Sequence, residues 1–149
     1  MNRWWSLIGF LALTLGGGWL IGSMTETAGW YQALAKPSFT PPDWLFPVAW
    51  TALYILIGIA GWRVREKRLA DLLSLWWIQL ALNFAWTPVF FVVHMIAPAL
   101  VIICLLLGAA VAFVVMAWRH DRLAALCFVP YALWVAYAAV LNAAIWWLN

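Results

Sequence analysis

Charge is scarce in this sequence. Asp, Glu, Lys and Arg make up 9% of its 149 residues, while 68% are hydrophobic. A soluble domain of this size has no means of hiding so much apolar surface from water. The few charges are confined to Arg3 and to positions 26–43, 63–71 and 119–122. Five charge-free runs lie between them, 4–24, 44–62, 72–93, 96–118 and 123–148. Each is close to the roughly 20 residues that cross a bilayer as a helix. The expectation is an all-α membrane protein, a single domain over 1–149 folded as a five-transmembrane-helix bundle. The first run is too long, and too poor in a small-residue cleavage site, for a removed signal peptide, so Met1 is expected to begin the mature chain.

Other absences narrow the chemistry. No run contains an Asp, Glu, Lys, Arg or His, so an intramembrane proton relay or ion-coupling carboxylate has no candidate. That counts against active transport. No metal cluster can be assembled, and His94 and His120, at the edges of runs, read as loop histidines rather than haem ligands. Hydrolytic triads, P-loops and nucleotide fingerprints are missing, no cofactor is required, and no nucleic-acid partner is indicated. The two cysteines, Cys104 and Cys127, fall on different predicted helices without motif spacing, and no disulfide is expected.

What charge there is orients the chain. Arg3, Arg63, Arg65, Lys67, Arg68, Arg119 and Arg122 share one side against Lys36 alone on the other. The positive-inside rule then makes the N-terminus and basic loops cytoplasmic if the protein sits in an inner membrane, and leaves inner versus outer membrane open. Glycines gather in the first run, with Gly18 and Gly22 spaced for close helix approach, within the bundle or across a homodimer. A stripe of Cys104, Gly108 and Ala112 in the fourth run reads the same way.

Tryptophan is abundant, at fourteen residues. Trp4, Trp5, Trp44, Trp62, Trp76, Trp77, Trp118, Trp146 and Trp147 lie near run ends and read as interfacial anchors. Trp50, Trp86 and Trp134 lie deep, where an indole N–H needs a partner that lipid cannot supply. Helical spacing groups Trp50 with Tyr54, Asn83 with Trp86, Thr87 and Phe90, and Tyr131 with Trp134, Ala138 and Asn142. Such faces point into a bundle and are expected to meet at one interior site, held by shape, stacking and neutral hydrogen bonds. The alternative is that the aromatics simply fill a wide core.

The long connection of the chain joins the first two runs and ends in "AKPSFTPPDWLFPVAW" (35–50), which passes straight into the second. Pro37, Pro41 and Pro42 stiffen it and deny it helical N–H groups, so with Trp44 it reads as a lid. Pro47, Pro88 and Pro130 are expected to loosen their helices by freeing a carbonyl one turn earlier.

The segments "WYQALAKPSFTPPDWLFPVAWTALY" (30–54), "LNFAWTPVFF" (82–91) and "VPYALWVAYAAVLN" (129–142) resemble the TspO/MBR family of tryptophan-rich sensory and translocator proteins, in order and over nearly the whole chain. The resemblance implies a five-helix bundle, often dimeric, binding porphyrins such as protoporphyrin IX or haem and, in some members, sterols and synthetic ligands. It would place Tyr31, Trp50, Asn83, Trp86, Phe90, Cys104, Trp134, Ala138 and Asn142 in the pocket, with Tyr54 and Tyr131 beside them from helical spacing. It also makes Trp50 and Trp134 candidates for light-dependent porphyrin breakdown, although two tryptophans do not make an enzyme. One departure from the family pattern stands out: Tyr137 is followed by "AAVLNAAIWWLN", without the basic residue of the animal sterol motif, and only a reversed pattern, Arg122, Phe128 and Leu133, remains. A tetrapyrrole is therefore expected over a sterol, with binding and sensing as the role and transport or degradation as alternatives.

Overall fold

The computed structural model describes residues 2–25 and 28–149; Met1, the expected chain start, and Glu26 and Thr27 lie outside them. The described residues form six helices and no strand: α1 (Arg3–Ser23), α2 (Trp30–Ala33), α3 (Leu45–Glu66), α4 (Ala70–Phe91), α5 (Ile96–His120) and α6 (Arg122–Leu148). Five follow the charge-free runs, and α3 and α5 continue past them into basic residues because a helix outgrows its apolar part once its turns are propagating. The short α2, entered through Gly29 at φ 71°, was not expected.

Four helices, α1, α3, α5 and α6, are long and apolar enough to cross a membrane. With 22 residues α4 has the length, but Gln79, Asn83 and four tryptophan or threonine positions, Trp76, Trp77, Trp86 and Thr87, lower its hydropathy. Its amides point inward, where Gln79 and Asn83 are both buried.

The hairpins are tight. α5 and α6 are joined through Asp121 alone, and α4 turns into α5 through His94, which takes the left-handed conformation at φ 59°. α5 packs along α4 and α6, α3 along α1 and α6, and α1 touches α4 more lightly. At the end that gathers the basic residues, Asp121 caps α6 by accepting from Leu123 and Ala124 N–H, and Arg63 reaches it through Nε at 2.9 Å and Nη2 at 3.0 Å. Lys67 adds a contact at 3.3 Å, Trp62 Nε1 donates to the Arg3 carbonyl, and Arg65 bonds Ser6.

Two sequence expectations change. Trp76 is fully buried rather than an interfacial anchor: its indole lies against Gly61, where a Cβ would collide with it, and Nε1 donates to Ile57 O at 2.9 Å. Pro47 sits in the first turn of α3, where an N–H has no helical partner to lose, so it loosens nothing.

Candidate functional site

A cavity of about 650 Å³ opens between α1, α3 and α4 at the loop end of the bundle. Its walls are Leu15, Gly18, Trp19 and Gly22 of α1, Phe46, Pro47, Trp50 and Tyr54 of α3, and Trp86, Thr87 and Phe91 of α4; Tyr31 and Asp43 line it from the connecting segment. The glycines shape it in two ways. Gly18 is packed against the Tyr54 ring, so closely that a Cβ there would overlap it, whereas a Cβ on Gly22 would meet only open space. α1 is held to this wall by Thr14 Oγ1, which donates to Tyr54 O at 2.8 Å. Trp19, 76% exposed, marks the cavity's outer edge on the α1 side.

Trp50 and Tyr54 stack one turn apart, with centroids 5.5 Å apart and planes at 29°. Behind them runs a buried polar wall. Tyr54 Oη donates to Asn83 Oδ1 at 2.7 Å, Asn83 Nδ2 donates to Tyr131 Oη at 2.8 Å, and Tyr131 Oη donates to Gln79 Oε1 at 2.8 Å. One turn nearer the loops, Trp86 Nε1 donates to Asn142 Oδ1 and Asn142 Nδ2 to Ile96 O, both at 3.1 Å. These bonds bring α3, α4 and α6 together at membrane depth, where each unmade bond is costly.

The residues expected at the site thus fall into separate places. Tyr31, Trp50, Tyr54 and Trp86 line the cavity, and Asn83 and Tyr131 support it from behind. Trp134 meets Trp50 edge-on at 6.5 Å without lining the cavity, and its buried Nε1 lacks a partner among the described residues. Phe90, Ala138 and Asn142 border a void of about 20 Å³, separated from the cavity by the Tyr31, Phe46, Trp86 and Phe91 side chains that line both. Cys104 is brought to neither. It is exposed on α5, one residue after the inward-facing Ile103, and helical geometry turns it outward.

The connection is fastened chiefly to α6. Asn149 Oδ1 accepts from Ala35 N at 3.0 Å while its Nδ2 donates to Ala35 O at 2.9 Å, and Tyr137 Oη donates to Phe39 O. Lys36 Nζ donates to the carbonyls of Tyr31, Gln32 and Leu34, closing the end of α2. Trp30 stacks on His94 at 4.1 Å. Pro37 O accepts from Thr40 N and Pro42 O from Leu45 N, so the prolines form turns leading into α3; neither they nor Pro41 and the exposed Trp44 line the cavity. Burial, then Asp43, then Tyr137, push the Tyr31 phenol up to about 12, so it stays a neutral hydrogen-bonding group.

Sequence reasoning missed the α1 wall and Gln79. Gln79 stands four residues before Asn83, on the same helical face, and that spacing is the signal that points to it.

A helical bundle with apolar spans and a buried amide and phenol wall defines a multi-pass integral membrane protein, here with an aromatic cavity at one end. Comparison with known proteins makes the class specific: residues 10–148 match the TspO/MBR family, and the chain belongs to it. It is 44% identical over 133 residues to "Protein CrtK" of Rhodobacter capsulatus, covering 86% of this chain and 83% of the relative. It is 35% identical to the "Tryptophan-rich sensory protein" of Cereibacter sphaeroides, covering 95% and 90%. Against the "Translocator protein" of Bos taurus it is 36% identical, covering 96% and 89%.

Proposed function

We propose that this protein is a membrane receptor of five transmembrane helices that binds a porphyrin-type tetrapyrrole, protoporphyrin IX or haem, in the α1–α3–α4 cavity beneath the connecting segment. The observation that carries the reading is the cavity wall of Trp50 stacked on Tyr54 and faced by Trp86, Tyr31 and Phe91. Flat aromatic surfaces favour a planar macrocycle, and about 650 Å³ falls within the roughly 300–1,000 Å³ of small-molecule pockets. The sensory role is supported by the name of a relative. α4 serves as the fifth span because the Trp76 and Trp86 indoles and the Asn83 amide are bonded inside the bundle, while Trp77 and Ile78 are turned outward, where lipid would meet them. The end holding Arg63, Lys67 and Arg122 is cytoplasmic in this reading. Gly9 and Gly16 on α1 and Gly108 on α5 meet nothing within 4 Å, which suits a homodimer face as well as lipid.

A tryptophan-quenching titration of the purified protein with protoporphyrin IX, haem and cholesterol tests the assignment. Saturable quenching by the porphyrins, stronger than by cholesterol, is expected. Saturation by cholesterol alone would make the ligand a sterol, and saturation by none of the three would remove the receptor reading.

Light-dependent breakdown of the bound porphyrin is a second reading, favoured by Trp50 lying on the cavity wall with Trp134 edge-on behind it. It requires a product formed in light and oxygen that is lost in Trp50→Leu.

A further inference from the structure

The cavity is neutral and apolar along most of its wall, with one exception at its rim. Among the described residues that line it, Asp43 alone carries a formal charge. Its side chain is exposed, which places it at the mouth rather than in the depth. Gln32 Nε2 donates to Asp43 Oδ2 at 2.8 Å, and that bond fixes the carboxylate without cancelling its charge. The ion pairs among the described residues all lie at the opposite end of the bundle, where Arg63, Arg65 and Lys67 meet Glu66 and Asp121. Lys36 is the basic residue of the connecting segment, and its ammonium is spent on three carbonyls, with Tyr31's ring centroid 4.7 Å away. The field of Asp43 reaches the cavity lining: after burial, it is the next cause of the raised Tyr31 phenol. Near low-dielectric walls such a charge is felt more strongly than in open water.

We propose that Asp43 sets the charge preference of the cavity, favouring planar ligands whose edge at the mouth is neutral or cationic over the same scaffold carrying carboxylates there. This rests on the α1–α3–α4 cavity being the binding site, and does not require the scaffold to be a tetrapyrrole. Applied to a porphyrin, it means that the carboxylate-bearing edge is turned away from Asp43 or is bound at a cost. A carboxylate at the mouth meets like charge and no free cation of the described residues, whereas an ester, amide or ammonium meets a hydrogen-bond acceptor of suitable sign.

The test uses matched probes that differ in charge alone or nearly so: protoporphyrin IX against its dimethyl ester, and pyrenebutyrate against pyrenebutylammonium. Affinities are measured by tryptophan quenching for the parent, Asp43→Asn and Asp43→Lys, each with unchanged helicity. The parent is expected to prefer the ester and the ammonium. The preference should fall about three- to tenfold in Asp43→Asn, the size of one charge contact at about 4 Å in a water-like dielectric, as suits an exposed carboxylate. It should reverse in Asp43→Lys. In the parent itself it should shrink between low salt and 0.5 M salt, because the mouth is open to screening. If the pyrene pair shifts as expected while neither porphyrin binds, the charge preference stands and the tetrapyrrole reading fails. Ratios that are the same in all three proteins, or a parent that binds neither pair, would overturn the proposal.

Discussion

The phenol of Tyr54 donates to Asn83 Oδ1 at 2.7 Å, and through that bond the cavity wall on α3 is joined to the polar centre of the bundle on α4. Tyr54 shows its ring to the cavity and its hydroxyl to the interior, so a residue that forms the cavity wall is also part of what holds the helices in register.

Asn83→Leu should therefore act first on stability. Both ends of the amide are spent on protein partners, Tyr54 and Tyr131, and leaving their hydroxyls short of a partner should cost about 1–3 kcal/mol. Unfolding in detergent without ligand measures it. A variant that unfolds like the parent would mean that the two phenols find other partners.

Gly18 and Gly22, four residues apart, should respond oppositely to bulk. Gly18→Leu drives a side chain into the Tyr54 ring and should destabilise the bundle by about 1–3 kcal/mol. Gly22→Leu projects into open cavity space and should leave melting unchanged while weakening porphyrin binding about tenfold or more, that is about 1.4 kcal/mol. Equal melting for both variants would contradict the packing at Gly18, and full porphyrin affinity in Gly22→Leu would move the ligand elsewhere.

Asp121 should make the protein sensitive to acid. Burial alone would raise its carboxyl, but hydrogen bonds from Arg63, the Ala124 N–H and Lys67, with the charge of Arg63, hold it below the usual carboxylate range. A depressed acid contributes stability that is complete above its unfolded value and is lost as pH falls through its folded one. Melting temperature should thus decline below about pH 4, with part of that decline absent in Asp121→Asn, which can still cap α6 but cannot pair with Arg63. Identical acid limbs in parent and variant would remove Asp121 as the source.

The fastening of the connection to α6 should govern ligand release. Asn149→Ala removes both bonds to Ala35, and Pro41→Gly with Pro42→Gly adds roughly 1 kcal/mol of backbone entropy per residue freed. Each should speed porphyrin dissociation more than it slows association. Stopped-flow release rates equal to the parent's would show that the segment does not act as a lid. Trp50→Leu, which removes wall rather than cover, should instead lose about 0.5–1.5 kcal/mol of stacking beyond the lost area.

The long helices were legible in the sequence because a charge-free run of membrane length is a local property. The rotation of those helices was less so. α5 is apolar all round, so nothing in its pattern told Cys104 from Ile103, and the choice is made by contact with α4 and α6. Trp76 looked like an anchor by position alone, and its burial depends on Gly61, a residue of another helix. The polar faces of α3, α4 and α6 could be read from spacing, since membrane depth forces Asn83 and Asn142 to find partners. The α1 wall could not, because a glycine that admits a ring from the same chain reads like one that admits a second chain.

Three of the 21 residues of α1 are buried, Ser6, Thr14 and Gly18, which makes it a sparsely rooted helix that nevertheless supplies one side of the cavity. The chamber comes into being only when α1 settles on α3 and α4. A molecule held there would bind the settled form alone, and so would draw that settling toward completion as its concentration rises. In a newly inserted chain such a molecule would be the last component of assembly as well as the ligand, its supply setting how much of the chain completes its fold.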